Sequence, residues 1–178
     1  MFRVLPSALL TLTLAACAPS QTTGTAEETV PTGGSSQAGP CVPGYTRPDF
    51  AALERDLAAA RARWTAAGIR DYSHDFEQIA APVRFPTVRV TVRSGAVQGV
   101  TLAAGETGEP GTQARGTVED RFANIAEVLT LQQEQPCPAV EASYDPQDGH
   151  PTRLYSGSHL ANIADGEGEW RVTNFTRP

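Results

Sequence analysis

Three histidines, His74, His150 and His159, and the carboxylates of Asp71, Asp75, Asp145, Asp148 and Asp165 are the side chains best suited to acid-base or metal chemistry. Imidazole titrates near neutral pH and ligates zinc, so two histidines brought beside a carboxylate would hold Zn²⁺ or relay a proton. No spacing of the His-Glu-x-x-His kind joins them, and isolated histidines in strands and turns are ordinarily hydrogen-bonded parts of a fold. The run Asp145-Pro146-Gln147-Asp148-Gly149 echoes a calcium loop but lacks the third ligand position and the closing glutamate. A turn whose aspartate caps backbone amides and whose glycine takes positive φ explains the same letters. Ser156-Gly157-Ser158-His159 has no Gly-x-Ser-x-Gly frame, which argues against a serine hydrolase. The glycines between 103 and 116 precede no Gly-Lys-Ser/Thr, which argues against a phosphate loop. No catalytic residue, metal or cofactor is assigned on this basis. Tyr144, Asp145, Asp148, Gly149, His150 and Pro151 are kept as a candidate binding turn.

Cysteine chemistry divides three ways. Leu14-Ala15-Ala16-Cys17 closes an apolar segment that follows Arg3, and reads as a lipobox ending a secretion signal. The segment is too short to span a bilayer. Residues 1–16 are then a removed signal peptide, and Cys17 is the lipidation site that anchors the mature protein to a membrane. Acyl chains supply ~0.8 kcal/mol per buried methylene. Ala18 to Pro40 is almost entirely Pro, Gly, Ser, Thr, Gln and Ala, a composition that builds no core. Residues 17–46 therefore read as a lipid-anchored tether, its coil spanning ~25 Å. With Cys17 committed to lipid, Cys41 and Cys137 remain as an even pair in an oxidising compartment and read as a disulfide, two unpaired thiols being the alternative.

What these groups must be mounted on is one α+β domain over 47–178. The whole chain carries a net charge of −6, and removing Arg3 with the signal leaves 13 basic against 20 acidic residues, or −7. Nucleic acid is excluded as a partner on that balance, and membrane contact is expected through the lipid rather than through a basic face.

Thr46-Arg47-Pro48-Asp49 reads as the capping box of a first helix whose stripe is Phe50, Leu53, Leu57, Ala60 and Trp64, ending at Gly68. Asp71 to Ile79 alternates Tyr72, His74 and Phe76 on one side. Val88, Val90 and Val92 alternate with Arg89, Thr91 and Arg93, and Ser94-Gly95 turns the chain into Ala96 to Leu102. Ala103 to Gly116 is expected to be an exposed, mobile loop. Thr117-Val118-Glu119-Asp120 opens a second helix with the stripe Val118, Phe122, Ile125 and Leu129. Strands are expected at 139–144, 151–155, 160–164 and 169–176. The order α-β-β-β-α-β-β-β(-β) lacks strand-helix alternation, so two amphipathic helices packed on one face of an antiparallel sheet are expected.

Trp64, Gly68, Asp71-Tyr72, the valine strand with Gly95, Thr117 to Phe122 with Ile125, Tyr144-Asp145-Pro146, Gly149-His150-Pro151-Thr152 and Ile163-Ala164-Asp165 together carry a resemblance. From Trp64 to about Phe175 the chain resembles a bacterial envelope lipoprotein family whose domain has no assigned function. Members of that family commonly carry Cys-x-Cys after the first strand. Ala81-Pro82-Val83-Arg84-Phe85 stands there in this chain, so no cysteine role carries over. The resemblance implies a secreted, lipid-anchored α+β domain and no reaction. Two functions are expected on these grounds, both in the bacterial cell envelope outside the cytoplasm. One is a non-enzymatic binding or scaffold module for an envelope protein, a peptide or a cell-wall component. The alternative is an envelope hydrolase using His150, His74 and neighbouring carboxylates, which requires those side chains to converge in one pocket.

Overall fold

The computed structural model describes residues 39–161 and 166–178. The signal peptide, Cys17, the tether up to residue 38 and the Ile163-Ala164-Asp165 motif lie outside the described residues. Helix α1 spans Phe50–Ala67 and helix α2 spans Val118–Gln133. The strands are β1 Tyr72–Ala80, β2 Val83–Arg84, β3 Val88–Arg93, β4 Ala96–Leu102, β5 Pro138–Tyr144, β6 Pro151–Ser158 and β7 Gly168–Thr176, with a 3₁₀ turn at Thr112–Arg115. They form a seven-stranded antiparallel sheet in the order β4-β3-β1-β7-β6-β5, with β2 folded back on the end of β1.

The apolar stripes place both helices on the same sheet face. Leu57, Ala60 and Trp64 of α1 and Phe122, Ile125 and Leu129 of α2 are buried against Tyr72 and Phe76, Val88, Val90 and Val92, Leu154, Trp170 and Val172. Period two sends the alternate residues to the opposite face, which no helix among the described residues covers and where charge pairs replace apolar packing. Asp75 meets its cross-strand partner Arg89 at 2.9 Å, and Arg153 bridges Glu141 at 2.6 Å and Glu169 at 2.7 Å.

Helix α2 starts at the expected capping box: Thr117 Oγ1 accepts from the Asp120 amide at 3.2 Å, and Asp120 Oδ2 accepts from the Thr117 amide at 2.8 Å. Helix α1 departs from expectation. Its N-cap is Asp49, whose Oδ1 accepts from the Ala52 amide at 3.0 Å, and Thr46 lies outside the helix. The cause is Pro48, which disfavours the α conformation in the preceding residue. Arg47 therefore cannot serve as the first helical residue that a Thr46 cap requires.

The loop from 103 to 116 is also only half as expected. Gly111, Ala114 and Gly116 are buried where the 3₁₀ turn tucks under the sheet, because a segment of small residues fits between β1 and α2. Of the strand expected at 160–164, Leu160 makes an isolated bridge with Cys41 and Ala161 is a turn, while 162–165 lie outside the described residues. Cys41 and Cys137 are bonded, closing 96 residues and fastening the segment ahead of α1 to the start of β5. No helix among the described residues is long and apolar enough to cross a membrane.

Candidate functional site

The turn between β5 and β6 is built around one carboxylate. Asp145 Oδ1 accepts from the amides of Gln147 at 2.8 Å and Asp148 at 3.0 Å, and the Gly149 amide donates to the Asp145 carbonyl at 3.0 Å. Gly149 takes φ +83°, which carries the chain back so that the Asp145 amide reaches the His150 carbonyl at 2.8 Å. This closes the loop and turns Asp148 and His150 inward, 4 % and 6 % exposed respectively.

Both oxygens of Asp148 are occupied. Oδ1 accepts from the His150 amide at 2.9 Å and from His150 Nδ1 at 2.6 Å, while Oδ2 pairs with the Arg177 guanidinium. Burial raises the Asp148 carboxyl, but the hydrogen bonds from His150 and Arg177 outweigh it and hold the group below the usual carboxylate range. The ionised Asp148 carboxylate accepts from Nδ1, so that ring nitrogen carries a proton, and Nε2 has no hydrogen-bond partner among the described residues. The imidazole stacks on Phe175 with centroids 4.1 Å apart. Around it lies an open groove of about 290 Å³ lined also by Gln147, Thr173, Asn174 and Arg177.

Other chemically capable residues are dispersed. His74 is fully buried on the core side of β1, stacked near Tyr72 and Phe175 with centroids 5.9 and 6.4 Å away, and neither ring nitrogen has a partner. Burial, with the Arg121 charge adding to it, lowers its pKa to about 3, so it is neutral at physiological pH. Phe175 is thus a common neighbour of His74 and His150, yet only His150 lines the groove. His159 packs on Tyr45, centroids 5.7 Å apart, and its amide donates to the Cys137 carbonyl beside the disulfide. Asp71 caps the Ser94 amide at 2.6 Å, Asp75 faces Arg89 and Asn174 on the uncovered sheet face, and Asp165 lies outside the described residues. Within the candidate turn itself, Pro151 is buried and Tyr144 stacks on Phe122 with centroids 6.3 Å apart. Burial raises the Tyr144 hydroxyl to about 12.

Asp145, Asp148 and His150 offer ligand atoms within 4.8 Å of one another. The Asp148–His150 separation of 2.6 Å is that of a hydrogen bond, closer than the ~3.4 Å between two donors held at ~2.1 Å by a tetrahedral metal. Arg177 already supplies the counter-charge, so the set is organised as an acid-imidazole-guanidinium cluster. Nothing in the sequence marked Phe175, Asn174 or Arg177 as neighbours of this turn: Asn174-Phe175-Thr176 matches only the letters of a glycosylation acceptor, set aside because the lipobox implies a bacterial cell. Arg177 is 29 residues beyond Asp148, and nothing local marks it as a partner.

Over residues 56–177 the chain matches the model of a family of unknown function (DUF6174). The chain belongs to this family. No curated protein and no solved structure matches it. In this DUF6174 chain the matched span contains the β5–β6 turn, the end of β7 and Arg177, and therefore every residue of the groove. Cys137 lies within the span, whereas Cys17 and Cys41 precede it.

Proposed function

We propose that this protein is a lipid-anchored component of the bacterial cell envelope, held outside the cytoplasm by acyl chains on Cys17. Residues 1–16 are its signal, 17–46 its tether and 47–178 its domain. In this reading the domain is a non-enzymatic binding module that presents the Asp148–His150–Arg177 groove to a polar partner, an envelope protein, a peptide or a cell-wall component. The observation that carries it is the pairing of two buried polar side chains at the wall of an open groove: the cost of burying them is offset within the cluster, while His150 Nε2 and the half-exposed Arg177 are left for a ligand. The lipobox and tether composition support the anchor.

The Asp148–His150 pair also favours a second reading, an envelope hydrolase with His150 as general base. Against it, no hydroxyl or thiol is hydrogen-bonded to His150 among the described residues, and His74 lies in the core. One set of experiments separates the two. The purified protein is titrated with soluble peptidoglycan fragments and short peptides while the amide signals of Gly149, His150 and Asn174 are followed by NMR, and is incubated with ester and amide substrates. Saturable shifts without product are expected. Turnover that vanishes in His150→Gln while the fold persists would establish the hydrolase instead. Mass spectrometry of the native protein is expected to find an acylated Cys17 at the N-terminus, and an intact Met1 end would remove the anchor.

A further inference from the structure

Arg121 stands apart from the groove described above. It is 3 % exposed, its guanidinium carbon lies 3.8 Å from the Phe76 ring centroid and 5.8 Å from that of Trp170, and among the described residues no carboxylate forms an ion pair with it. Nη2 donates to the Gln113 carbonyl, and Nε has no partner. Burial lowers its pKa to about 10, which leaves it charged. Ring contacts recover part of what desolvation costs, but a guanidinium has five donors, and a buried cation without a counter-ion is a costly arrangement. Asp120, which lines the same groove, is committed to the Thr117 amide and hydroxyl at 2.8 and 2.9 Å.

Arg121 lines an open groove of about 290 Å³ between the 3₁₀ turn and the start of α2. Arg115, exposed at the end of that turn, brings a second cation to the groove, and Thr112 a hydroxyl. Asn124 accepts from Trp170 Nε1 at 2.8 Å through its side-chain oxygen, which leaves its amide NH₂ to donate. Gly116 lies against the guanidinium: a Cβ there would fall 2.9 Å from Arg121 Cζ, so the absence of a side chain is what lets the backbone approach it. The α2 N-terminus is not the attraction, since the Val118 amide already donates to the Tyr72 hydroxyl at 2.8 Å and the Asp120 amide to Thr117.

We propose that this groove binds a carboxylate, seated against Arg121 and Arg115 with Thr112 and Asn124 donating beside it. A carboxylate matches the planar fork of a guanidinium through two oxygens. Two arginines against the one carboxylate of Asp120 leave a single positive charge, which suits a monoanion and disfavours a phosphate dianion.

The test uses the full chain in neutral detergent micelles, titrated with acetate, N-acetyl-tri-alanine, the C-terminal amide of that peptide, and inorganic phosphate. The amide signals of Arg115, Gly116 and Asn124 are followed by NMR. Acetate and the peptide acid are expected to give saturable shifts, the peptide amide none, and phosphate weaker ones. Arg115 is exposed and its replacement leaves the fold intact, so Arg115→Gln reports on the site without unfolding it and is expected to weaken binding about two- to fivefold. Arg121→Met, checked by circular dichroism, is expected to abolish it. Tighter binding of the peptide than of acetate assigns the site to a peptide terminus, and equal binding assigns it to a free small acid. Absence of saturable shifts with both, equal shifts from the peptide amide, or tighter binding of phosphate would overturn the proposal.

Discussion

At Gly149 two constraints coincide: φ is +83°, and a Cβ would lie 2.3 Å from the carbonyl oxygen of Ala60 in α1. Gly149→Ala is expected to destabilise the protein by about 3 kcal/mol or more in urea denaturation, whereas Gly44→Ala, at φ +79° with open space around it, is expected to cost only ~1 kcal/mol. The difference between them measures the docking of the turn on α1, on which the inward aim of Asp148 and His150 depends. His74 gives a second prediction. Its folded pKa of about 3 lies below the ordinary 6.5, so the unfolded chain binds the proton first. Stability from this residue is therefore complete above pH 6.5 and falls by up to ~1.4 kcal/mol per unit as pH drops toward 3. Asp75, Asp148 and Glu169 are also held low, but they begin to lose their contribution only near ~4. His74→Leu is expected to flatten the stability profile between pH 6 and ~4 and, by removing two unsatisfied buried nitrogens, to leave stability at neutral pH equal or higher. An unchanged profile would show that His74 is not the titrating group.

Among the elements, the helix starts offer the sharpest comparison. Thr117 caps α2 and Asp49 caps α1, and each alanine replacement is expected to cost about 1 kcal/mol in thermal or urea unfolding. Thr46→Ala is expected to cost nothing measurable, because that side chain caps no helix. The letters Thr46-x-x-Asp49 fit a capping box as well as Thr117-x-x-Asp120 does. Only the restriction that Pro48 places on Arg47 separates them. The central strand shows the same dependence on context: β1 alternates by two, yet it is pairing with β3 on one side and β7 on the other that buries His74 and leaves Asp75 on the uncovered face.

For the whole molecule the disulfide is the largest single tether. By closing 96 residues it restricts the unfolded chain by ~4 to 5 kcal/mol in the entropic model, and joins the segment before α1 to the edge strand β5. Reduction is expected to lower the unfolding free energy by about 4 kcal/mol, read as a lower urea midpoint, without altering α2, and Cys41→Ala with Cys137→Ala is expected to do the same in the absence of reductant. A fold relying on this bond suits an oxidising compartment, the setting proposed for a lipid-anchored envelope protein.

Periodicity is local, so composition and spacing alone determined the helix stripes, the alternating strands, the Ser94-Gly95 hairpin and the helix-strand order, whereas the bond between Cys41 and Cys137 was only an expectation until the folded chain brought them together. The Asp145 to Gly149 turn was legible for the same reason, since its hydrogen bonds run among neighbours. Strand order is not local. Only the folded sheet, by placing β7 between β1 and β6, brought Phe175 and Arg177 to Asp148 and His150, separated His74 from the groove, and set Arg121 over the Phe76 ring with Trp170 beside it. Contacts among residues distant along the chain depend on which strands pair and which faces the helices cover, and these are settled by burial of the whole core at once rather than by any stretch of letters.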